Sequence, residues 1–393
     1  MSHSSRALLL DAGFASLPFL DVLRQYGYRT AVCGTKLQDP GHRFADESCP
    51  INYADVQQVL ALCREHQIDA LLPGVTDVSY LTGARVAAEL GFSGFDSPDI
   101  SDVLFQKDQF RHWAQAHHFP VPAAVSTLKE SETLSLPLMV KPVDAYSGLG
   151  ISRISARAQL PDAYQAARLA SRSGEAIIEQ FIEGTLHSHS AFIRNGEIAC
   201  EFFVDEFCTV YPWQVNSSSL TTQLTEKIQD RVSDCLASLA AQLKLRDGLL
   251  HTQFMTNGHD FWLIELTRRC PGDLYSRLIT LSTGVPYSHH FVDPFIGRKN
   301  AFTLRRPPRQ RYIARHTISS SQSIFFPGFQ FSAMPAEIID VIPLKLPGER
   351  LEPAPRDRAG LVFAECDSLA TLATLTPQLN RYLNLPTAEE TKV

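Results

Sequence analysis

Short apolar runs alternate with amphipathic segments through the first hundred residues, and this alternation constrains the fold more than any other feature of the chain. Ala7-Leu-Leu-Leu-Asp11 reads as a buried first strand that closes on an Ala12-Gly13 turn. A helix is expected from near Ser16-Leu17-Pro18, with serine at its cap and proline in its first turn. Thr30-Ala-Val-Cys33 gives a second strand and Ile68-Asp-Ala-Leu-Leu-Pro73 a third, while Asp55 to His66 places Val56, Val59, Leu60 and Cys63 at helical spacing. Such alternation predicts a parallel sheet covered on both faces. No G-x-G-x-x-G follows the first strand, which argues against a dinucleotide cofactor. Loops at the carboxyl ends of such strands form a ligand crevice, so Gly74-Val-Thr-Asp77 is either a substrate edge or a plain helix-entry turn.

With 393 residues the chain exceeds one ordinary core, and two to four lobes are expected. A net charge of −6 and a pI near 6.1 argue against a nucleic-acid surface. The single basic cluster, Arg305-Arg-Pro-Pro-Arg-Gln-Arg311, is proline-broken and reads as a linker or solvated edge. No apolar run approaches the roughly 20 residues that span a bilayer, and the start of the chain lacks a signal segment. Eight scattered cysteines without a C-x-x-C pair suit reduced thiols, so a cytoplasmic protein is expected, without membrane or nucleic-acid partners.

Pro137-Leu-Met-Val-Lys141-Pro142 is a short apolar run ending on a lysine, followed by a small-residue turn through Ser147, Gly148 and Gly150. Small residues bring backbone N–H groups close to an anion, and Lys141 adds charge at the same place. An ordinary turn after an edge lysine fits the same residues. Leu104 to His117 reads as one helix carrying Lys107, by itself unremarkable on an amphipathic surface. In Ala176-Ile-Ile-Glu-Gln-Phe-Ile182 the carboxylate of Glu179 interrupts an apolar strand and therefore needs a partner. Asn195-Gly196 marks a hairpin, and Leu224, Ile228, Val232, Leu236, Leu239 and Leu243 mark a long amphipathic helix.

Two strands, Leu249–Met255 and Phe261–Leu266, flank Asn257-Gly258. A three-residue loop, Asn257 to His259, sets His251 opposite Glu265 with Gln253 diagonal to it on one face; a two-residue loop separates Gln253 and Glu265. The three-residue loop is the expectation. Arg268 and Arg269 beside Glu265, in a turn ending at Asp273, suit charge stabilisation around phosphate better than packing, although Glu265 could simply pair with either arginine. Beyond residue 300, strands are expected at Arg311–Thr317 and Glu337–Leu344 and a final helix near Leu369–Tyr382.

In order, these are a helix lysine, strand–Lys–Pro–glycine turn, Glu-x-Phe-Ile-Glu-Gly, Gln253 and Glu-x-x-Arg-Arg. The succession resembles the ATP-grasp superfamily of carboxylate–amine ligases over roughly residues 7 to 300. The resemblance implies an N-terminal parallel α/β domain (1–100), then a two-lobed α+β ATP-grasp fold (101–182 and 183–300), with a C-terminal segment (301–393) completing the substrate side. It implies ATP and Mg2+ as cofactors, small-molecule carboxylate and amine substrates, and a homodimer of the kind common in that family. Lys107 and Lys141 fall where phosphates are contacted, and Ser147 and Gly148 form the mobile flap. Glu179, Phe181 and Ile182 belong to the linker beside adenine. Gln253 and Glu265 stand at the metal positions, and Arg269 at the catalytic arginine. Leu186 replaces a ribose-binding Glu, leaving Glu183 or His187 for that role; Gln253 replaces the commoner Glu and Thr267 the metal-binding Asn, which makes Asp273 a helper. Asp77, Arg277, Arg315 and His316 are candidates for the substrate side. The implied reaction activates a carboxylate as an acyl phosphate and captures it with an amine. Phosphoryl transfer to another acceptor such as bicarbonate, and a nucleotide-binding regulator without turnover, are the alternatives.

Overall fold

The computed structural model describes residues 5–145 and 147–385. The first four residues, read above for a signal segment, and Tyr146 of the glycine turn lie outside them.

Strands β1 (Arg6–Leu10), β2 (Arg29–Cys33), β3 (Glu47–Cys49) and β4 (Ala70–Pro73) form the parallel sheet in the order β3-β2-β1-β4. The central strand is apolar at every inner position because both of its faces are covered: Leu8, Leu9 and Leu10 are fully buried. Asp55 caps the helix Val56–Glu65 by accepting from the N–H groups of Gln57 (2.9 Å) and Gln58 (3.1 Å). The expected serine cap is not made. Ser16 precedes the helix Leu17–Gln25, but its hydroxyl donates to Asp11 Oδ2 at 2.8 Å.

The single helix expected over Leu104–His117 is two, Pro98–Phe105 and Lys107–Ala116. Gln106 between them is extended (φ −98°, ψ 118°), which turns Lys107 toward the next sheet, where its N–H donates to Val143 O at 3.4 Å.

That sheet is small and antiparallel, with order β5-β8-β6-β7, from β5 (Ala124–Val125), β6 (Leu138–Pro142), β7 (Ser152–Ile154) and β8 (Ala176–Gln180). Leu138, Val140, Ile154 and Ile178 bury against the helix Leu160–Ala170, a core separate from the main one.

The third sheet has eight antiparallel strands in the order β13-β12-β9-β10-β11-β14-β19-β17. Its first half is β9 (Thr185–Arg194), β10 (Glu197–Phe207), β11 (Ser217–Leu220), β12 (Gly248–Thr256) and β13 (Phe261–Thr267). Asn195 and Gly196 turn the β9–β10 hairpin with φ of 53° and 79°, the pair of left-handed conformations such a turn needs. The helix Glu226–Gln242 buries Val232, Leu236 and Leu239. Its second half comes from beyond residue 300: β14 (Tyr312–Ile318), β17 (Glu337–Pro343) and β19 (Gly360–Cys366), the last not foreseen in the sequence. Two short pairs complete that region, β15 (Ile324–Phe325) with β18 (Arg350–Leu351) and β16 (Gln330–Phe331) with β20 (Leu383–Asn384). The terminal helix is shorter than expected, Leu369–Leu375, and continues as a 3-10 turn, Thr376–Arg381. Among the described residues no helix is long and apolar enough to cross a membrane.

Candidate active site

Glu179, the carboxylate inside an apolar run, finds two partners. On adjacent antiparallel strands Met139 faces Glu179, so Lys141, two residues on, shares its sheet face. Lys141 Nζ lies 2.5 Å from Glu179 Oε2, and Arg111 Nε, from the helix Lys107–Ala116, lies 2.8 Å from Oε1. Burial alone raises the Glu179 carboxyl; Arg111 and then Lys141 outweigh it and hold the group below its usual value. Arg111 was not singled out in the sequence.

The break at Gln106 aims Lys107 at the same region. Its Nζ donates to Ala145 O at 3.1 Å, on the loop after β6, and lies 3.2 Å from Glu265 Oε1 on β13. Burial pushes the Glu265 carboxyl up, but Lys107, Arg269 and Lys141 together leave it lowered. Lys107 thus reaches Glu265, while Lys141 is paired with Glu179 on the small sheet.

Gln253 stands directly opposite Glu265, by a route other than the one expected. The hairpin closes with four residues, Asn257 to Asp260, because Asn257 Oδ1 accepts from the N–H groups of His259 and Asp260 at 2.9 and 2.7 Å. A bulge between Gln253 and Phe254 then shifts the register, so His251 faces Thr267 rather than Glu265. The expected shared face is present; the three-residue loop and the His251 pairing are corrected.

Registers across the large sheet extend this face into a stepped row: Gln253 on β12 faces Glu265 on β13 and Ser188 on β9, Ser188 faces Val204 on β10, and Glu206, two residues beyond Val204, faces Ser218 on β11, which faces Arg315 on β14. Gln253 Nε2 donates to Glu206 Oε2 at 2.6 Å, and Arg315 Nε donates to Ser218 Oγ at 2.9 Å. Arg315 also pairs with Asp273. Glu206, absent from the sequence reading, is pushed up to about 7, first by burial and also by Asp273. Asp273 Oδ1 is buried without a hydrogen-bond partner among the described residues. These donors are oxygens, the ligand chemistry of a small hard cation, and Glu265 and Gln253 fit such an ion.

The two arginines divide. Arg269 turns Nε and Nη2 onto Asp77 Oδ1, both at 2.8 Å, which ties the turn to the carboxyl end of the parallel sheet. Arg268 is a correction: its side chain is 1% exposed and donates to Asp96 Oδ2 at 2.7 Å, making it a packed, paired residue. Ser147 and Gly148 both adopt left-handed backbone (φ 55° and 74°), and the Gly148 carbonyl accepts from Tyr211 Oη at 3.2 Å. A Cβ on Gly148 would run into Trp213. Phe181, Ile182 and Glu183 form the linker from β8 to β9; the Arg153 guanidinium stacks 4.4 Å from the Phe181 ring centroid and lies 3.8 Å from the exposed Glu183 carboxylate.

His187 does not join these residues. It is 1% exposed on the opposite sheet face, with Nδ1 at 2.9 Å from Asp205 Oδ1 and Nε2 at 2.7 Å from Thr185 Oγ1. His316 also turns away from the row; its Nδ1 lies 2.7 Å from Ser217 Oγ, and burial lowers it to about 3. Arg277 pairs with Asp340 and stacks 5.7 Å from the Phe363 ring centroid. Leu186 and Thr267 are strand residues of β9 and β13.

Residues 134–276 match a family model described as an ATP-grasp domain. The chain is similar to a formate-dependent phosphoribosylglycinamide formyltransferase of Synechococcus sp. (strain CC9605), 26% identical over 207 residues, 50% of this chain and 53% of that protein. The match therefore spans about half the length of that relative. Among solved structures, an L-amino acid ligase from Bacillus licheniformis superposes with a TM-score of 0.80 at 16% identity, covering 98% of this chain and 99% of that one. The biotin carboxylase domain of a Hydrogenobacter thermophilus 2-oxoglutarate carboxylase, in complex with MgADP, ADP and bicarbonate, gives 0.75 at 14% identity, covering 92% and 86%. At these identities the structural likeness is one of fold.

Proposed function

We propose that this chain, a member of the ATP-grasp superfamily, uses ATP to activate a small-molecule carboxylate as an acyl phosphate and joins it to an amine, releasing ADP and phosphate. The observation that carries this reading is the contact of Lys107 with Glu265 at 3.2 Å, the charges of Lys107, Arg269 and Lys141 holding that carboxyl below its usual value. Three cations around a carboxylate and an amide oxygen form a charge pattern suited to a polyphosphate and its counter-ion. The names of its relatives, a formate-dependent formyltransferase and an amino acid ligase, point the same way, toward a carboxylic acid as substrate.

In this reading Lys107 and Lys141 bind phosphate oxygens and orient the terminal phosphoryl group toward the attacking carboxylate. Glu179 and Arg111 fix Lys141 in one rotamer, so its charge is placed before substrate arrives. Glu265 and Gln253 hold Mg2+, with Asp273 as helper; the ion, when bound, draws charge off the phosphate oxygens. Arg269, aligned by Asp77, stabilises charge on the transferred group and on the oxygen of the tetrahedral intermediate. Ser147 and Gly148, docked against Tyr211 and Trp213, exclude water that would hydrolyse the acyl phosphate. Phe181, Ile182 and the Glu179 main chain border adenine, and Glu183, rather than the enclosed His187, takes the ribose.

The test is isotopic. The protein is incubated with MgATP, mixed amino acids as amines and 18O-carboxylate acids. The expected result is ADP, a new amide by mass spectrometry, and 18O transferred from the acid to inorganic phosphate. ADP release without inorganic phosphate would favour a hydroxyl acceptor, and ADP with unlabelled phosphate would favour water or bicarbonate as acceptor; either would rule out the acyl phosphate. ATP binding without ADP release in any mixture would leave a regulator.

A further inference from the structure

Glu206 is 7% exposed and makes no ion pair among the described residues. Its hydrogen-bond partner is the Gln253 amide at 2.6 Å. Arg315, two strands further along the row, has its guanidinium on Ser218 and Asp273 instead. A carboxylate withdrawn from water without a cation of its own is costly, and the cost is relieved by taking up a proton or by an incoming cation. Gln253 links it to a place for such a cation, because it faces Glu265 on the neighbouring strand. The end of Gln253 that meets Glu206 is its NH2 group, which donates to Oε2. The carbonyl oxygen of Gln253 is not used in that bond and is free to act as a ligand.

We propose that Glu206 is a positioning residue of the cation site: it fixes Gln253 with its carbonyl oxygen toward the ion and returns to the site the second negative charge that a glutamine cannot carry. The inference rests on the reading of Glu265 and Gln253 as ligands given above. It places the charge one shell outward, through a hydrogen bond, where the sequence shows only a neutral residue. Metal ligands are ordinarily oriented by such outer partners, whose loss lowers metal affinity roughly 10–100-fold.

The test measures Mn2+ binding by electron paramagnetic resonance, with and without ADP, on the full-length protein. Glu206→Gln is expected to weaken Mn2+ binding by about 10–100-fold while leaving metal-free ADP affinity and the melting temperature near the wild-type values. The exchange variant, Gln253→Glu combined with Glu206→Gln, moves the carboxylate to the strand beside Glu265 and is expected to restore Mn2+ affinity. Unchanged affinity in Glu206→Gln, or a folded exchange variant that does not bind the ion, would overturn the inference. If the single variant does not fold, the exchange variant decides alone, because it keeps the buried charge and both side-chain types. A wild-type protein that binds no Mn2+ would instead remove the cation site itself, a separate failure.

Discussion

Lys141 and Glu179 lie on adjacent antiparallel strands, on one face of the small sheet, with Nζ and Oε2 2.5 Å apart. Arg111 takes the other oxygen, so a single carboxylate pairs with two buried cations. Glu179→Gln leaves both without it, and removing one member of a buried ionic cluster costs about 3–5 kcal/mol. Urea denaturation is expected to show a loss of that size with an unchanged slope; a loss below about 1 kcal/mol would mean the cluster is solvated in solution.

Lys107 carries no such structural load. Its side chain is 14% exposed and its contacts are Ala145 O and Glu265. Lys107→Ala is expected to lower kcat by about 10²–10³-fold, the range for losing one preorganised charge, with little change in melting temperature. Stopped-flow ADP release checks the first, and calorimetry the second.

Gly148 has no room for a side chain, since it adopts φ 74° against Trp213. Gly148→Ala therefore disfavours the docked position of the turn. The expected signature is uncoupling: ADP continues to form, while the amide produced per ADP falls. Unchanged coupling would show that the turn does not guard the intermediate.

Glu201 sets an acid limit on stability. His189 Nε2 at 2.8 Å, Ser233 Oγ at 2.5 Å and Arg306 Nε at 2.7 Å surround it. Burial raises its carboxyl, but the bond to His189 and the others outweigh this and lower it from 4.5 to about 2. A carboxyl lowered in the folded state stabilises above the unfolded value. That stability, about 3 kcal/mol, is lost as pH falls from about 4.5 toward about 2. Denaturation at pH 6 and pH 3 should show the loss in the wild type and a flatter profile in Glu201→Gln.

What the sequence made legible follows from where information is local. Leu8 to Leu10 are buried on both faces, so their strand is a plain apolar run. Glu179 announced by its apolar neighbours that it needed a partner, but not that one would be Arg111, an ordinary residue in an amphipathic helix. The pairing of Gln253 with Glu265 depends on one bulge and one Asn257-closed turn, and a one-residue change in either reverses the face. Glu206 continues the alternation of Phe202 and Val204 at the end of β10; an acid in that phase was the available signal, and its partner lies two strands away. The break at Gln106 has no proline or glycine to mark it, since tertiary bonds from Lys107 impose it.

The pairing of β11 with β14, Ser217 opposite His316 through Ser219 opposite Ala314, makes the chain beyond residue 300 structurally inseparable from the strands that carry the candidate site. A protein cut after Asn300 would lose Arg315 and expose β11 as a raw edge, open to any strand that came near. Truncation there should yield insoluble material rather than a minimal nucleotide-binding unit, and any chimera that exchanges substrate preference must carry both halves of the sheet together.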